Sequence, residues 1–209
     1  MPRSADATRR RILDAAYAQF YRKGFARVGV DEIAAAAKVT KRTLYYHFES
    51  KDDLLAAVLE AQHTLALGTF RIWTDKLRGN AEQVVEALFA ELSKWAAKPR
   101  WSGSGFTRLA MELADLPGHP ARAGARTHKR LVEAQFADVL AKAGVRAPQK
   151  IAREIYILLE GATTLILIHG DRRYADAAAD AAKKLLAVAD SACPEGARRV
   201  SRQLRARTA

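Results

Sequence analysis

Cations, hydroxyls and aromatic rings are concentrated in one short stretch of the sequence, residues 40–48, which reads Thr-Lys-Arg-Thr-Leu-Tyr-Tyr-His-Phe. Such side chains donate hydrogen bonds to DNA phosphates, and an arginine fork also matches the edge of a guanine. The candidate contacts are Thr40, Lys41, Arg42, Thr43, Tyr45, Tyr46, His47 and, a little further on, Lys51. Presented together on one short helix, these residues favour contact with double-stranded DNA.

Position along that helix indicates a role for each candidate. The threonine at position 40 can cap the helix, and Lys41 and Arg42 lie where side chains at a helix start enter the major groove. Thr43 and Tyr45 suit a base edge or a thymine methyl group. The next two aromatic residues, and the lysine at position 51, suit the phosphate backbone. The alternative is that the three aromatic residues are half-buried packing and the cations a solvated face.

Two helices and a tight turn are needed to position this stretch. One helix is predicted over about residues 31–37, and another begins after Thr40 and ends at about His47. Leu44 and Phe48 lie four residues apart and turn inward, so the other side chains of the second helix face outward. The core that receives them is predicted to contain Ile12, Ala16, Phe20, Phe25, Val28, Val30, Ile33, Ala34 and Val39. This arrangement is a helix-turn-helix unit.

The same region resembles the DNA-binding domain of the TetR family of bacterial transcriptional regulators. The resemblance covers about residues 6–66, with the motif at about 29–48. It is carried by Gly24-Phe25, Val30, Ile33-Ala34, Leu44-Tyr45-Tyr46-His47-Phe48, Ser50-Lys51 and Leu54. Gly29 replaces the family's usual Ser or Thr N-cap, and Lys38 replaces the usual turn glycine, which predicts a lysine in the left-handed region. Arg42, a small residue in many relatives, is expected to alter which operator is read.

Helical periodicity extends through the rest of the chain, without the sustained two-residue alternation that strands need. We therefore expect an all-α protein of about nine helices. Their expected ranges are about 6–23, 31–37, 41–47, 51 to beyond 70, 81–97, 106–116, 120–143, 148–169 and 174–192. The predicted domains are a helix-turn-helix DNA-binding domain over 1–50, a helical ligand-binding and dimerisation domain over 51–193, and a loose basic tail over 194–209.

The last two predicted helices carry apolar residues at alternating gaps of four and three, the spacing of a helix–helix seam. The eighth helix is apolar on two adjoining faces, so one face is expected to meet a second subunit. The alternative is that both faces are intradomain core. The TetR resemblance implies the same homodimer, built as a four-helix bundle. The predicted interface residues are Ile155, Leu158, Ala162, Leu165, Tyr174, Ala178, Ala181, Leu185 and Val188.

The family resemblance also implies a pocket for a small-molecule inducer in the larger domain. An aromatic lining with a few polar groups suits a partly hydrophobic molecule, although ordinary core packing explains each aromatic residue equally well. Glu160, an acid within an apolar helix, is the best candidate to orient a ligand; the alternative is a partner cation. The predicted lining is Phe70, Trp73, Phe89, Trp101, Phe106, Met111, His128, Tyr156, Glu160 and Thr163.

The charge distribution favours a polyanionic partner. The 209 residues carry a net charge of +12, and residues 1–51 hold 11 Lys and Arg against 5 Asp and Glu. Residues 194–209 hold 5 against 1, while the middle of the chain is nearly balanced. The single cysteine, Cys193, excludes an intrachain disulfide, and no segment has the apolar length of a signal peptide or a membrane span. We therefore expect a cytoplasmic protein.

The expected function is that of a homodimeric repressor released from a pseudo-palindromic operator by a small molecule. The alternatives are an activator or a ligand-independent DNA-binding protein. Catalysis is not expected, because the sequence lacks a Gly-x-Ser-x-Gly elbow and a phosphate-binding glycine loop. The five histidines show no metal-ligand spacing, so neither a metal ion nor a cofactor is predicted. Packaging of nucleic acid by charge alone is a further alternative, against which the capped aromatic helix argues.

Overall fold

All regular structure in the described part of the chain is α-helical. The computed structural model describes residues 2–76 and 79–191. The helices are α1 Pro2–Lys23, α2 Val30–Ala36, α3 Lys41–His47, α4 Lys51–Lys76, α5 Ala81–Ala96, α6 Gly105–Glu112, α7 Pro120–Lys142, α8 Pro148–His169 and α9 Arg173–Ser191. The predicted all-α class is confirmed. Cys193 and the predicted basic tail lie outside the described residues.

The helix bounds follow the prediction closely except at α1 and α6. α1 begins at Pro2 instead of about residue 6, and α6 ends at Glu112 instead of about residue 116. α6 ends early because Leu113 leaves the helical region, with φ −101° and ψ 23°. Turns then carry the chain onward, in which the Ala114 N–H donates to the Met111 carbonyl.

The first of two compact units contains Met1–Arg71 and Ser102–Val132. Its buried core draws side chains from α1, α2 and α3, and also from α4, α6 and α7. The buried residues include Ile12, Ala16, Ile33, Leu44, Phe48, Leu54, Phe106, Leu109, Leu113, Ala121 and Ala125. A unit of α1, α2 and α3 alone would bury little apolar surface, so α4, α6 and α7 complete the core around the helix-turn-helix.

The second compact unit contains Ile72–Trp101 and Glu133–Ala209. In it, α8 packs along α9, and α5 packs against both. The side of α9 that faces this core is lined with small residues, which let helices approach closely: Ala175, Ala178, Ala179 and Ala182 are all buried. Lys183 of α9 pairs with Glu86 of α5 at 3.0 Å.

The compact units do not divide at residue 50, where the predicted functional domains meet. Leu54 of α4 and Phe106 of α6 enter the same buried cluster as Ile12 and Leu44. An amphipathic pattern in the sequence shows that a helix has an apolar face, but not which neighbour covers that face. The functional division into a DNA-binding and a ligand-binding domain stays a prediction.

Candidate nucleic-acid interface

Helix α3 is short, and both of its ends are fixed. The Thr40 hydroxyl accepts a hydrogen bond from the Thr43 N–H at 3.0 Å, so the predicted N-cap is present. Leu44 is 0% exposed and Phe48, the C-cap residue, is 1% exposed. Because these two side chains anchor the inner face in the core, the remaining side chains of α3 are directed away from it.

The aromatic residues on the outward face differ in exposure. Tyr46 is 82% exposed and Tyr45 is 44% exposed. The half-buried packing alternative therefore does not fit Tyr46, whereas the partial burial of Tyr45 is compatible with it. His47 is half-buried, and its ring lies edge-on to that of Tyr46 with centroids 5.2 Å apart. The tyrosines are therefore available to a partner, and His47 supports one of them.

The two cations at the start of α3 are both exposed, but only one is paired. Lys41 Nζ lies 3.1 Å from a carboxylate oxygen of Asp31 in α2. Arg42 has no hydrogen-bond or ion-pair partner among the described residues. A guanidinium without an internal partner has all five of its donors free for a base edge or a phosphate.

The turn between α2 and α3 has the conformation that the sequence predicted. Lys38 has φ 54°, in the left-handed region that favours glycine. Its N–H donates to the Ala35 carbonyl at 3.1 Å, and the Val39 N–H donates to the Ala34 carbonyl at 3.0 Å. At the start of α2, Gly29 is the N-cap and no side-chain oxygen caps the helix. Both departures noted in the sequence are confirmed, and the motif folds with them.

Lys51, a predicted phosphate contact, is held against the protein. Its Nζ donates to the Phe25 carbonyl at 2.6 Å and lies 4.2 Å from the centroid of the Phe25 ring. Burial lowers the pKa of the Lys51 ammonium, an effect that the carboxylates of Asp52 and Glu112 oppose. The hydrogen bond to Phe25 uses one of the three N–H donors of the ammonium and links Lys51 to the turn between α1 and α2.

Glu112, the last residue of α6, binds the same turn through its backbone N–H groups, whereas Lys51 binds a backbone carbonyl. Its carboxylate accepts hydrogen bonds from the Phe25 N–H at 3.0 Å and from the Ala26 N–H at 2.6 Å. The turn begins at Gly24, whose φ of 87° lies in the left-handed region that favours glycine. We call the contacts of Lys51 and Glu112 with residues 25 and 26 the Phe25 clamp. Sequence reasoning missed Glu112, because no local pattern links it to a turn so distant in the chain.

Comparison with known proteins agrees with this geometry. Residues 12–58 match the family of bacterial regulatory proteins called the tetR family. The HTH-type transcriptional regulator TtgR of Pseudomonas putida is 41% identical over 59 residues, which are 28% of this chain and 28% of TtgR. An HTH-type transcriptional repressor of Streptomyces coelicolor is 43% identical over 58 residues, 28% of this chain and 30% of the repressor. The crystal structure of a TetR-family transcriptional regulator from Streptomyces coelicolor has a TM-score of 0.74 at 25% identity, covering 87% of this chain and 95% of that one.

Residues 12–58 belong to the tetR family of bacterial regulatory proteins. The sequence match spans less than a third of the length of these curated relatives, whereas the likeness of fold extends over most of the chain. Both curated relatives are named as HTH-type transcriptional regulators or repressors. No described helix is both long and apolar enough to cross a membrane.

The predicted ligand-pocket residues fall in both compact units. The first unit holds Phe70, Phe106, Met111 and His128, and the second holds Trp73, Phe89, Trp101, Tyr156, Glu160 and Thr163. Met111 is 64% exposed, so it does not line an enclosed pocket. It stands near the end of the short α6, where the outer side of the helix faces water. Phe89, at 1% exposed, is ordinary core of the second unit.

Two histidines meet inside the first unit. His128 is 6% exposed and stacks on Phe106 with ring centroids 3.8 Å apart. Its Nδ1 lies 3.1 Å from Nδ1 of His63 in α4. His63 also borders a cleft of about 230 Å³ between α4 and α7, lined by Ala56, Leu59, Glu60, His63, Pro120, Ala121, Gly124 and Thr127. None of the predicted pocket residues lines this cleft. In residues 2–76 and 79–191, no three His, Cys, Asp or Glu side chains form a group that could hold a metal ion.

Polar and aromatic groups of the predicted pocket also meet in the second unit. Burial raises the pKa of the Tyr156 hydroxyl well above its usual range, and the Glu160 carboxylate, its hydrogen-bond partner, raises it further. The Trp95 ring contacts both Trp73 and Trp101, with centroids 6.1 and 5.4 Å apart. Trp101 Nε1 is buried without a hydrogen-bond partner among the described residues.

The predicted dimer residues divide between a buried seam and an exposed stripe. Ile155 is 0% exposed, Ala162 4% and Ala178 8%, so these three side chains pack inside the second unit and are not available to a second copy. Leu165 and Val188 are 37% and 68% exposed. The others, Leu158, Tyr174, Ala181 and Leu185, are half-buried. The regular spacing found the seam between α8 and α9, and it missed the exposed Ile157 and Ile168 on the outer face of α8.

Proposed function

We propose that this TetR-family regulator is a homodimeric repressor that binds a pseudo-palindromic operator and is released by a small molecule. The observation that carries the proposal is α3, whose inner face is anchored while its outer face presents cations, hydroxyls and two exposed tyrosines. Such a helix suits the major groove, where Arg42 would read a base edge and Tyr46 would touch the backbone. The relative named as a repressor supports the negative sign of regulation.

Two copies are part of the proposal, because one helix of seven residues reads too few base pairs for useful specificity. We assign the second copy to the outer faces of α8 and α9. Five large apolar side chains are exposed on these two helices: Ile157, Leu165, Leu167, Ile168 and Val188. Single exposed apolar residues are normal, but a group on two neighbouring helices is typical of an interaction surface.

The response to a small molecule is assigned to the second compact unit. The three tryptophans supply an apolar aromatic surface, and the buried indole N–H of Trp101 can donate to a ligand acceptor. Tyr156 and Glu160, which lie close to each other in α8, supply a hydrogen-bonding pair in the same unit. A coupling free energy of about 1–3 kcal/mol between this ligand and DNA is enough for a useful switch. In this proposal the protein acts in the cytoplasm and catalyses no reaction, as expected of a relative of transcriptional regulators.

Selection of bound duplexes from a random DNA pool at near-physiological salt, followed by sequencing, tests the proposal. The expected result is a pseudo-palindrome whose half-sites lie about 10–10.5 base pairs, or a multiple of that, apart. An enriched single half-site would contradict the dimer. Tight, salt-sensitive binding without any enriched sequence would replace specific reading by binding through charge alone. Transcription in vitro from a promoter that carries the selected site separates a repressor from an activator.

A further inference from the structure

The buried apolar face of α1 has a cationic side chain at its N-terminal end. Ile12, Leu13, Ala16 and Phe20 are all buried on one side of the helix. Arg9 precedes Ile12 and Leu13 by three and four residues, so it lies on the same side one turn earlier. There the core ends, and the guanidinium carbon of Arg9 lies over the Phe48 ring, 5.0 Å from its centroid. The position of this charge is therefore set by the same core that positions α3.

Phe48 lies between Arg9 and the exposed end of α3, and it is the first of three neighbouring aromatic rings. Its centroid lies 6.4 Å from that of His47, which lies 5.2 Å from that of Tyr46. Tyr46 is 82% exposed, whereas the Phe48 side chain is almost wholly covered. The guanidinium of Arg9 thus stands beside the C-terminal end of α3, at the opposite end of the three rings from the tyrosine.

The charge of Arg9 is not neutralised within the protein. Two other cations in this region do have acidic partners: Arg10 Nε lies 3.7 Å from Asp14, and Lys41 Nζ lies 3.1 Å from Asp31. Among the described residues no carboxylate lies within ion-pair distance of Arg9. A guanidinium held by a ring and left without a carboxylate is suited to a phosphate, which its planar donors can bind in a bidentate manner.

We propose that Arg9 of α1 binds a phosphate of the DNA backbone beside the C-terminal end of α3. This contact would extend the DNA surface from the helix-turn-helix onto α1, and it would fix the register of the protein without reading sequence. The inference rests on the proposed DNA-binding role of α3. It adds to that role a residue for which the sequence pattern gave no signal.

The test is the salt dependence of DNA binding by the full chain, measured by filter binding with a radiolabelled duplex of random sequence. Arg9→Met keeps the aliphatic stem over Phe48 and removes the charge. Each lost phosphate contact should reduce the negative slope of log K against log salt by about 0.9, so the loss of Arg9 from both subunits of the proposed homodimer should reduce it by about 1.8. The affinity deficit of the variant relative to the original protein should therefore shrink about 12-fold between ~50 and ~200 mM salt. Arg9→Lys should restore most of the slope.

Arg10→Met is the matched control, because Arg10 is the adjacent residue of α1 and already pairs with Asp14. Its slope should equal that of the original protein. An unchanged slope for Arg9→Met, or an equal change for both variants, would overturn the inference while leaving the proposed function intact. A lowered melting temperature for Arg9→Met with an unchanged slope would reduce Arg9 to a packing residue. Absence of salt-dependent DNA binding by the original protein would overturn both proposals.

Discussion

Removal of the Glu112 carboxylate should loosen the Phe25 clamp by an amount that the geometry limits. The Ala26 N–H is exposed, so water can replace the carboxylate there at little loss. The Phe25 N–H is partly buried, and hydrogen bonds to charged groups contribute about 1.5–3 kcal/mol. Because Glu112 itself is exposed, we expect a contribution near the lower limit of that range or a little below it. Glu112→Ala should therefore lower the free energy of unfolding by about 1–2 kcal/mol.

For a chain of this length, 1 kcal/mol lowers the melting temperature by about 2–4 °C. The melting temperature of Glu112→Ala, followed by circular dichroism, should therefore fall by about 2–8 °C. Glu112→Gln keeps one acceptor oxygen and loses the charge, so its loss should be less than half as large. Asp115→Ala, which removes a nearby exposed acid without a partner among the described residues, is the control and should leave the melting temperature unchanged.

Hydrogen exchange at the Phe25 amide gives an independent reading of the same contact. Exchange should be faster in Glu112→Ala than in the original protein, and exchange in α8 should not change. If the melting temperature and the Phe25 exchange rate both stay the same in Glu112→Ala, the carboxylate does not stabilise the turn. The clamp would then be reduced to the contact made by Lys51.

Three further predictions concern DNA reading and alkaline stability. Arg42→Ala should relax the preference at one base pair of each half-site, at about 1–3 kcal/mol, and an identical sequencing profile would remove Arg42 from the base contacts. Lys51→Met should lower the melting temperature without flattening the salt dependence of DNA binding; a flatter slope would restore Lys51 as a phosphate contact. Because the folded-state pKa of Tyr156 is raised, the unfolded chain loses this proton first, so stability falls as pH rises above ~10. Denaturant titrations from pH ~8 to ~11 should show a smaller alkaline loss for Tyr156→Phe, and equal losses in both proteins would contradict this assignment.

Local features of the fold could be predicted because their causes lie within a few residues of one another. The capping of α3 by Thr40 depends on the N–H three residues later, and the inward turn of Leu44 and Phe48 depends on their spacing of four. The left-handed Lys38 was predicted from the TetR resemblance, because this lysine replaces the family's usual turn glycine. The cap and the inward turn depend on short-range geometry that the sequence displays directly.

The distant contacts could not be predicted in the same way. Apolar spacing identified the seam of α8 and α9, but it could not show that Ile155 faces inward and Ile157 outward, because that depends on which helices cover α8. Composition suggested Met111 as a pocket residue, although its exposure is decided by the end of α6. Glu112 and Arg9 act on residues of other helices, and a single charged residue carries no periodic signal.

The distribution of tryptophans has a practical consequence for spectroscopy. All three tryptophans of the sequence lie in the second compact unit, and their rings are in contact. Excitation near the red edge of protein absorbance will therefore produce emission from that unit alone, while the helix-turn-helix contributes no indole signal. Quenching by an added compound will report an event in the second unit without interference from DNA-contact residues. Unfolding of the first compact unit can leave the tryptophan emission unchanged. A tryptophan introduced near α3 would be needed to observe it.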